Sequence, residues 1–144
     1  MKEVEQLVYA RLIGDTEATY GLVSLLGNAN RILHAYQSTD PTVPRLTFSV
    51  YTSTPGKLGG DFIRETEIFI QFNVFAANYS DIIFRLFRLF NGHQFAVPTN
   101  YVQVGQVSSI WDWEGPDGFD EQLEIQRKDV RYRFFVVPKA QNPI

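Results

Sequence analysis

Residues 65–90 read ETEIFIQFNVFAANYSDIIFRLFRLF, and the hydrophobic period changes partway along the stretch. From Thr66 to Phe75, Ile68, Ile70, Phe72 and Val74 alternate with Glu67, Phe69, Gln71, Asn73 and Phe75. A period of two predicts a strand, with the first set facing the core. After Ala76-Ala77 the period becomes helical. Asn78 or Ser80 is placed to cap a helix over Asp81 to Phe90, Asp81 lies in its first turn, and Asn91-Gly92 closes it. On a helical wheel Leu89, Ile82, Leu86, Phe90, Ile83, Phe87 and Phe84 fill an arc of roughly 220°. Only Asp81, Arg85 and Arg88 mark a wet face. A helix covering one sheet needs an apolar stripe of about 100° or somewhat more. Phe84 and Phe87 therefore exceed the requirement: either they are buried deeper within the monomer, or they pack on another subunit.

The flanking sequence supplies the remaining elements. Val4, Leu7, Val8 and Leu12 follow helical spacing up to Gly14 and predict an opening amphipathic helix. Leu22, Val23, Leu25 and Leu26 before Gly27-Asn28 predict a second, short helical turn ended by a left-handed glycine. A strand is expected from Arg31 to Tyr36. A bend at Asp40-Pro41 and Pro44 leads into another at Leu46 to Tyr51, with Leu46, Phe48 and Val50 on one face. Thr54-Pro55-Gly56 and Gly59-Gly60 make Thr52 to Arg64 a protruding hairpin loop. Val102 and Val104 begin a further strand, with a bulge at Gly105 before Val107 to Trp111, and residues 114–118 turn the chain. The last strand, Asp129 to Val137, puts Val130, Tyr132, Phe134 and Val136 on one face and Arg131, Arg133 and Phe135 on the other. The order helix, strands, helix, strands indicates an α+β fold, a largely antiparallel sheet with the N-terminal and central helices on one face. Residues 1–144 read as a single domain, without repeat, linker or low-complexity segment.

Composition narrows the function. With 144 residues, 44% hydrophobic and 20% charged, one core explains the chain. The absence of cysteine excludes disulfides, thiol nucleophiles and zinc-thiolate or iron–sulfur sites. A net charge of −3 provides no basic field for gripping nucleic acid along a large surface. No run approaches the roughly 20 apolar residues needed to span a bilayer. The charged start Met1-Lys2-Glu3-Val4-Glu5 lacks a signal peptide's apolar core, so a soluble chain made in the cytoplasm is expected. The 12 Phe, 7 Tyr and 2 Trp suit a β-rich core, and any surplus needs a partner surface.

Catalytic signals are weak. His34 sits in a predicted strand. His93 lies just past a helix end, where the helix dipole favours a cation. Ser24, Ser80 and Ser108 lack a nucleophile elbow. Gly56-Lys57-Leu58-Gly59-Gly60 departs from a phosphate loop in glycine spacing and in having Leu where magnesium would need Ser or Thr. Asp112, Glu114, Asp117, Asp120 and Glu121 do not match a calcium-loop spacing, and turn chemistry explains them. This acidic run leads into Arg127, Lys128, Arg131 and Arg133, which is either internal neutralisation or the mating of acidic and basic edges of neighbouring copies. Trp111 and Trp113 alternate with Asp112 and Glu114, so both indoles are expected on one side of the strand, as core or as an interface anchor.

Taken in order, several features resemble the tail-completion, or tail-terminator, proteins of long-tailed bacteriophages and related gene transfer particles. They are the short N-terminal helix, the Leu25-Leu26-Gly27 closure, the strand pair around Pro44 to Tyr51, the Gly-rich hairpin, and the passage from Glu65 through Ala76-Ala77-Asn78-Tyr79-Ser80 into Asp81 to Phe90. The connection from Asp112 to Arg127 is longer than is usual in that family. The resemblance implies a structural virion protein and no enzyme. It implies a homo-hexameric ring at the head-proximal end of the tail that caps the tail tube, stops its polymerisation and docks the head's neck. Implied partners are further copies of the chain, the major tail tube protein, and a head-completion, stopper or connector protein. DNA only passes through the lumen without sequence-specific binding, and no membrane, metal or cofactor is involved. Ring contacts are expected from Phe84, Phe87, Trp111 and Trp113 with Arg131 and Arg133; axial contacts are expected from Lys57, Leu58, Phe62 and Ile63. Three other readings compete: a head-completion or stopper protein of the neck, a small α+β ligand-binding enzyme using His34 or Asp112, and a dimerising scaffold.

Overall fold

The computed structural model describes residues 2–35, 43–58, 62–120 and 125–139, with the backbone alone for residues 53–58, 62–66 and 120. The chain opens with α1 (Lys2–Ile13), which buries the expected Val4, Leu7, Val8 and Leu12. Gly14 ends it by donating to the Ala10 carbonyl at 2.9 Å. Next come α2 (Leu22–Leu26), closed by Gly27 at φ 100°, and a 3₁₀ turn at Ala29–Arg31. Then follow β1 (Ile32–His34), β2 (Arg45–Leu58), β3 (Phe62–Phe75), α3 (Tyr79–Phe90) and β4 (His93–Gln94). The chain finishes with β5 (Val104–Glu114), β6 (Gly118–Asp120) and β7 (Ile125–Pro138).

The fold is α+β. Its seven-stranded sheet runs β1-β2-β3-β7-β5-β4, with β6 added beside β7. Every pairing is antiparallel except the short parallel match of β1 with β2. The alternation read in the sequence decides which face is buried: Ile68, Ile70, Phe72 and Val74 of β3 lie beside Val130, Tyr132, Phe134 and Val136 of β7, all buried. The helices cover this face. Phe90 of α3 inserts between Phe72 and Tyr132, with ring centroids 5.1 and 5.7 Å away. Such aromatic contacts absorb a good part of the high Phe and Tyr content. Two polar ties fix the helices over the sheet. Glu3 accepts from the N–H groups of Val102, Gln103 and Val104 at 2.9–3.0 Å, and Arg85 of α3 clasps the buried Asp15 after α1.

Four expectations need correction. The segment read as a hairpin loop at Thr52 to Arg64 is strand almost throughout, paired as far as Leu58 with Phe62. Pro55 fits because it sits at a register shift, where a missing N–H disturbs the ladder least. β7 accompanies β3 only as far as Glu67, so beyond it the hairpin projects as a two-stranded ribbon of about 15 Å. Arg85 is not on a wet face, because Asp15 draws it inward. Asn78 stands at the start of α3 without capping it through its side chain, which donates instead to the Leu25 carbonyl at 3.2 Å. Finally, β7 begins before Asp129; the polar Gln126-Arg127-Lys128 shows no apolar alternation, but β6 and the end of β3 pair with it. Tyr36 and Asp40-Pro41 lie outside the described residues.

Candidate functional site

The helix-covered side does not bury all of α3. Ile82, Leu86, Leu89 and Phe90 are buried, whereas Phe84 is 60% and Phe87 42% exposed. Burial within the monomer is therefore excluded for these two. They form one wall of a groove of about 530 Å³, with Trp111 of β5, 44% exposed, across from them. Tyr132 and Lys128 line the same groove from β7. Among the described residues the buried Tyr132 hydroxyl has no hydrogen-bond partner, and burial, aided by the Glu114 charge, pushes its pKa far upward. Lys128 is neutralised by Asp117 at 2.8 Å.

Among the described residues no helix covers the opposite face of the sheet, which carries a different chemistry. Arg131 of β7 lies between two rings, its guanidinium carbon 3.7 Å from the Tyr51 centroid and 4.2 Å from that of Trp113. Its Nε donates to Gln71 Oε1 at 2.9 Å. Gln71 in turn donates to Asn73, and Asn73 to Thr47, at 2.8 and 3.1 Å. This relay across β7, β3 and β2 holds the guanidinium plane in one orientation. Gly115 completes the seat: a Cβ there would stand 2.7 Å from the Trp113 ring, so only glycine lets the indole lie against the backbone. Further along the face, Arg133 binds Glu67 at 2.7 Å, depressing the Glu67 pKa, and covers Phe135 at 4.8 Å.

The expected ring residues thus divide between two surfaces. Trp111 and Trp113 do not share a side of the strand, because a bulge at Asp112 pairs Trp111 with Tyr132 and Trp113 with Arg131. One inserted residue reverses the alternation beyond it. Phe84, Phe87 and Trp111 belong to the helix side; Trp113, Arg131 and Arg133 belong to the bare face. In the charged run, Arg127, Lys128 and Arg133 are neutralised within the chain by Asp129, Asp117 and Glu67. Of those four, Arg131 alone has no carboxylate partner among the described residues. Lys57, Leu58, Phe62 and Ile63 lie together on the ribbon, in the pairs Lys57 with Ile63 and Leu58 with Phe62.

The two histidines do not converge on a nucleophile. His34 Nε2 is 3.2 Å from Glu5 Oε2, and its ring meets Phe48 edge-on. His93 packs edge-on to Phe95, and burial together with the Arg11 charge pulls its pKa down. Among the described residues no three His, Asp or Glu side chains assemble as metal ligands, and no helix is long and apolar enough to cross a membrane. The Glu121 part of the acidic run lies outside the described residues. Sequence reasoning missed Tyr51 and Gln71, whose roles depend on cross-strand neighbours; two of the signals were the Arg at 131 and the aromatic flanking it at 113.

In comparisons with known proteins, no protein-family model and no curated protein matches the chain.

Proposed function

We propose that the protein is a structural, non-enzymatic component of a phage-type virion, a tail terminator. In this reading copies form a ring, hexameric in the related proteins, at the head-proximal end of the tail tube. The observation that carries it is the aromatic groove of Phe84, Phe87 and Trp111, an apolar surface beyond what a lone domain needs. The projecting ribbon of β2 and β3 supports it further, since a two-stranded arm extending past its own sheet provides reach toward an adjacent ring. So does the element order, which agrees with the resemblance in the sequence.

Termination then works as a property of interfaces. The ring binds the last tube ring as another tube ring would, while its upper face offers no site for more tube subunits and instead matches the neck. The net charge of −3 suits a passage through which DNA slides without adhering. The ribbon, with Lys57, Leu58, Phe62 and Ile63, makes the axial contact, and Phe84 and Phe87 contribute to ring closure.

The test is to add the purified chain to polymerising tail tube protein and measure tube length by electron microscopy. The wild-type chain should arrest growth and leave ring-capped ends. The variant Phe84→Asp/Phe87→Asp should leave tubes growing. Capping by that variant at the wild-type level would remove the groove from the ring contact, and uncapped growth with the wild-type chain would defeat the terminator reading.

A further inference from the structure

Among the described residues the groove side carries carboxylates without partners, beside Arg88, which stands over the Phe84 ring at 5.1 Å. The carboxylates of Asp81 and Glu114 are exposed and, among the described residues, engage in no hydrogen bond or ion pair. Asp81 adjoins Phe84 at the start of α3 and Glu114 lines the groove itself, whereas the Asp112 charge acts on Arg133 of the bare face. The unspent carboxylates therefore edge the exposed aromatic surface. On the bare face Arg131 is pinned between Tyr51 and Trp113 with its Nε engaged, and among the described residues its terminal nitrogens meet no acceptor and no carboxylate pairs with it. Around it, Tyr51, Ile110, Phe135 and Val137 are exposed.

We propose that these unlike surfaces are each other's partners, so that the acidic aromatic groove of one copy receives the Arg131 face of the next. The inference rests on the ring reading and identifies the contact that would build the ring. The occupant is a second copy because a single chain carries both complements. A held guanidinium with open terminal nitrogens is shaped for a carboxylate fork, and rings on both surfaces provide apolar area around it. A two-fold contact between bare faces would oppose Arg131 to Arg131. A heterologous contact brings opposite charges together instead, and repeated by rotation it closes a ring. Duplex DNA is disfavoured as the occupant, because Glu67 and Asp129 on the same face interrupt any basic field.

The experiment is sedimentation velocity of the full chain, alone and on tail tubes, at low and high salt. Four variants are compared: Arg131→Gln, Arg131→Glu, Asp81→Lys/Glu114→Lys, and the combination of Arg131→Glu with the two lysines. Thermal unfolding checks that each is folded. Arg131→Gln retains a planar side chain between the rings and removes only the charge. Both the Arg131 variants and the double-lysine variant should weaken association at least tenfold, and the combined variant should recover most of it. Added salt should weaken the wild-type contact. Wild-type association by Arg131→Gln and Arg131→Glu would overturn the proposal. So would a folded combined variant that recovers nothing, or an Arg131→Glu chain that loses duplex-DNA binding while its self-association is intact. If Phe84→Asp/Phe87→Asp abolishes rings and the Arg131 variants do not, this contact falls and the ring reading stands. A wild-type chain that forms no ring even on tail tubes defeats both.

Discussion

Asp15 illustrates how much of the molecule depends on single residues. It is 8% exposed, and its carboxylate accepts from Arg85 Nε at 2.7 Å and from the Leu22 N–H at 2.8 Å. Burial opposes its ionisation, but the hydrogen bonds from Arg85 and Leu22 outweigh burial and hold its pKa below the ordinary value. Asp15→Asn, measured by chemical denaturation at neutral pH, should cost about 3 kcal/mol by leaving Arg85 unpaired. Because the folded pKa is depressed, this stabilisation is present above the unfolded value of about 3.9 and is lost as pH falls through the folded one. Asp15→Asn should accordingly flatten the acid limb of the stability curve. His93 follows the same direction: the unfolded chain takes up its proton first, so its contribution disappears as pH drops from about 6.5 toward the lower folded value. A proton-NMR titration should find its midpoint below 6.5. Tyr132→Phe removes a buried hydroxyl that has no partner among the described residues and should stabilise the monomer by about 1 kcal/mol. None of these pairings was legible locally. Arg85 reads as solvent-facing on its own helix because Asp15 is 70 residues away in the chain, and the Arg131 seat draws on three strands.

At the scale of elements, what could be read was whatever buries one face. The alternation in β3 and β7 and the spacing in α1 and α3 placed their core residues correctly, because a single covered face imposes period two or 3.6 on the chain. Elements lacking that constraint were read less fully: the protruding hairpin was expected as a loop rather than a paired ribbon, and the short β6 and the polar start of β7 were missed. The bulge at Gly105 was visible because glycine marks it, whereas the one at Asp112 carries no such marker and reversed the placement of Trp113. Deleting Asp112 should remove the bulge and leave Trp113 opposite Arg131 in an unbroken ladder. The near-ultraviolet circular dichroism of the indoles should then be preserved, and loss of the Trp113 contribution would show that the extra residue is needed to seat the indole. At the end of α3, Gly92 has φ 70°, so Gly92→Ala should cost about 1–2 kcal/mol in thermal unfolding. Retention of full stability would remove left-handed closure from the account of how α3 ends.

The whole molecule is a sheet with one covered and one bare face, and each face presents aromatic rings that its own core does not use. The sequence already pointed to the surplus through the width of the α3 apolar arc, but could not tell burial from exposure. That required knowing that α3 packs on the sheet through Ile82, Leu86, Leu89 and Phe90, with Tyr79 and Ile83 partly buried, and leaves Phe84 and Phe87 outside. In the proposed terminator these surfaces join copies into the ring. In a Trp113→Phe variant the remaining Trp111 emission should be readily quenched in the free chain, and protected and blue-shifted once the ring forms. The most direct measurement is electron microscopy of particles from a strain lacking the gene, counting tail lengths and joined heads. Over-long tails without heads are the expected result. Tails of normal length beside leaking, tail-less heads would move the protein to the head side of the neck, and intact infectious particles would contradict the account.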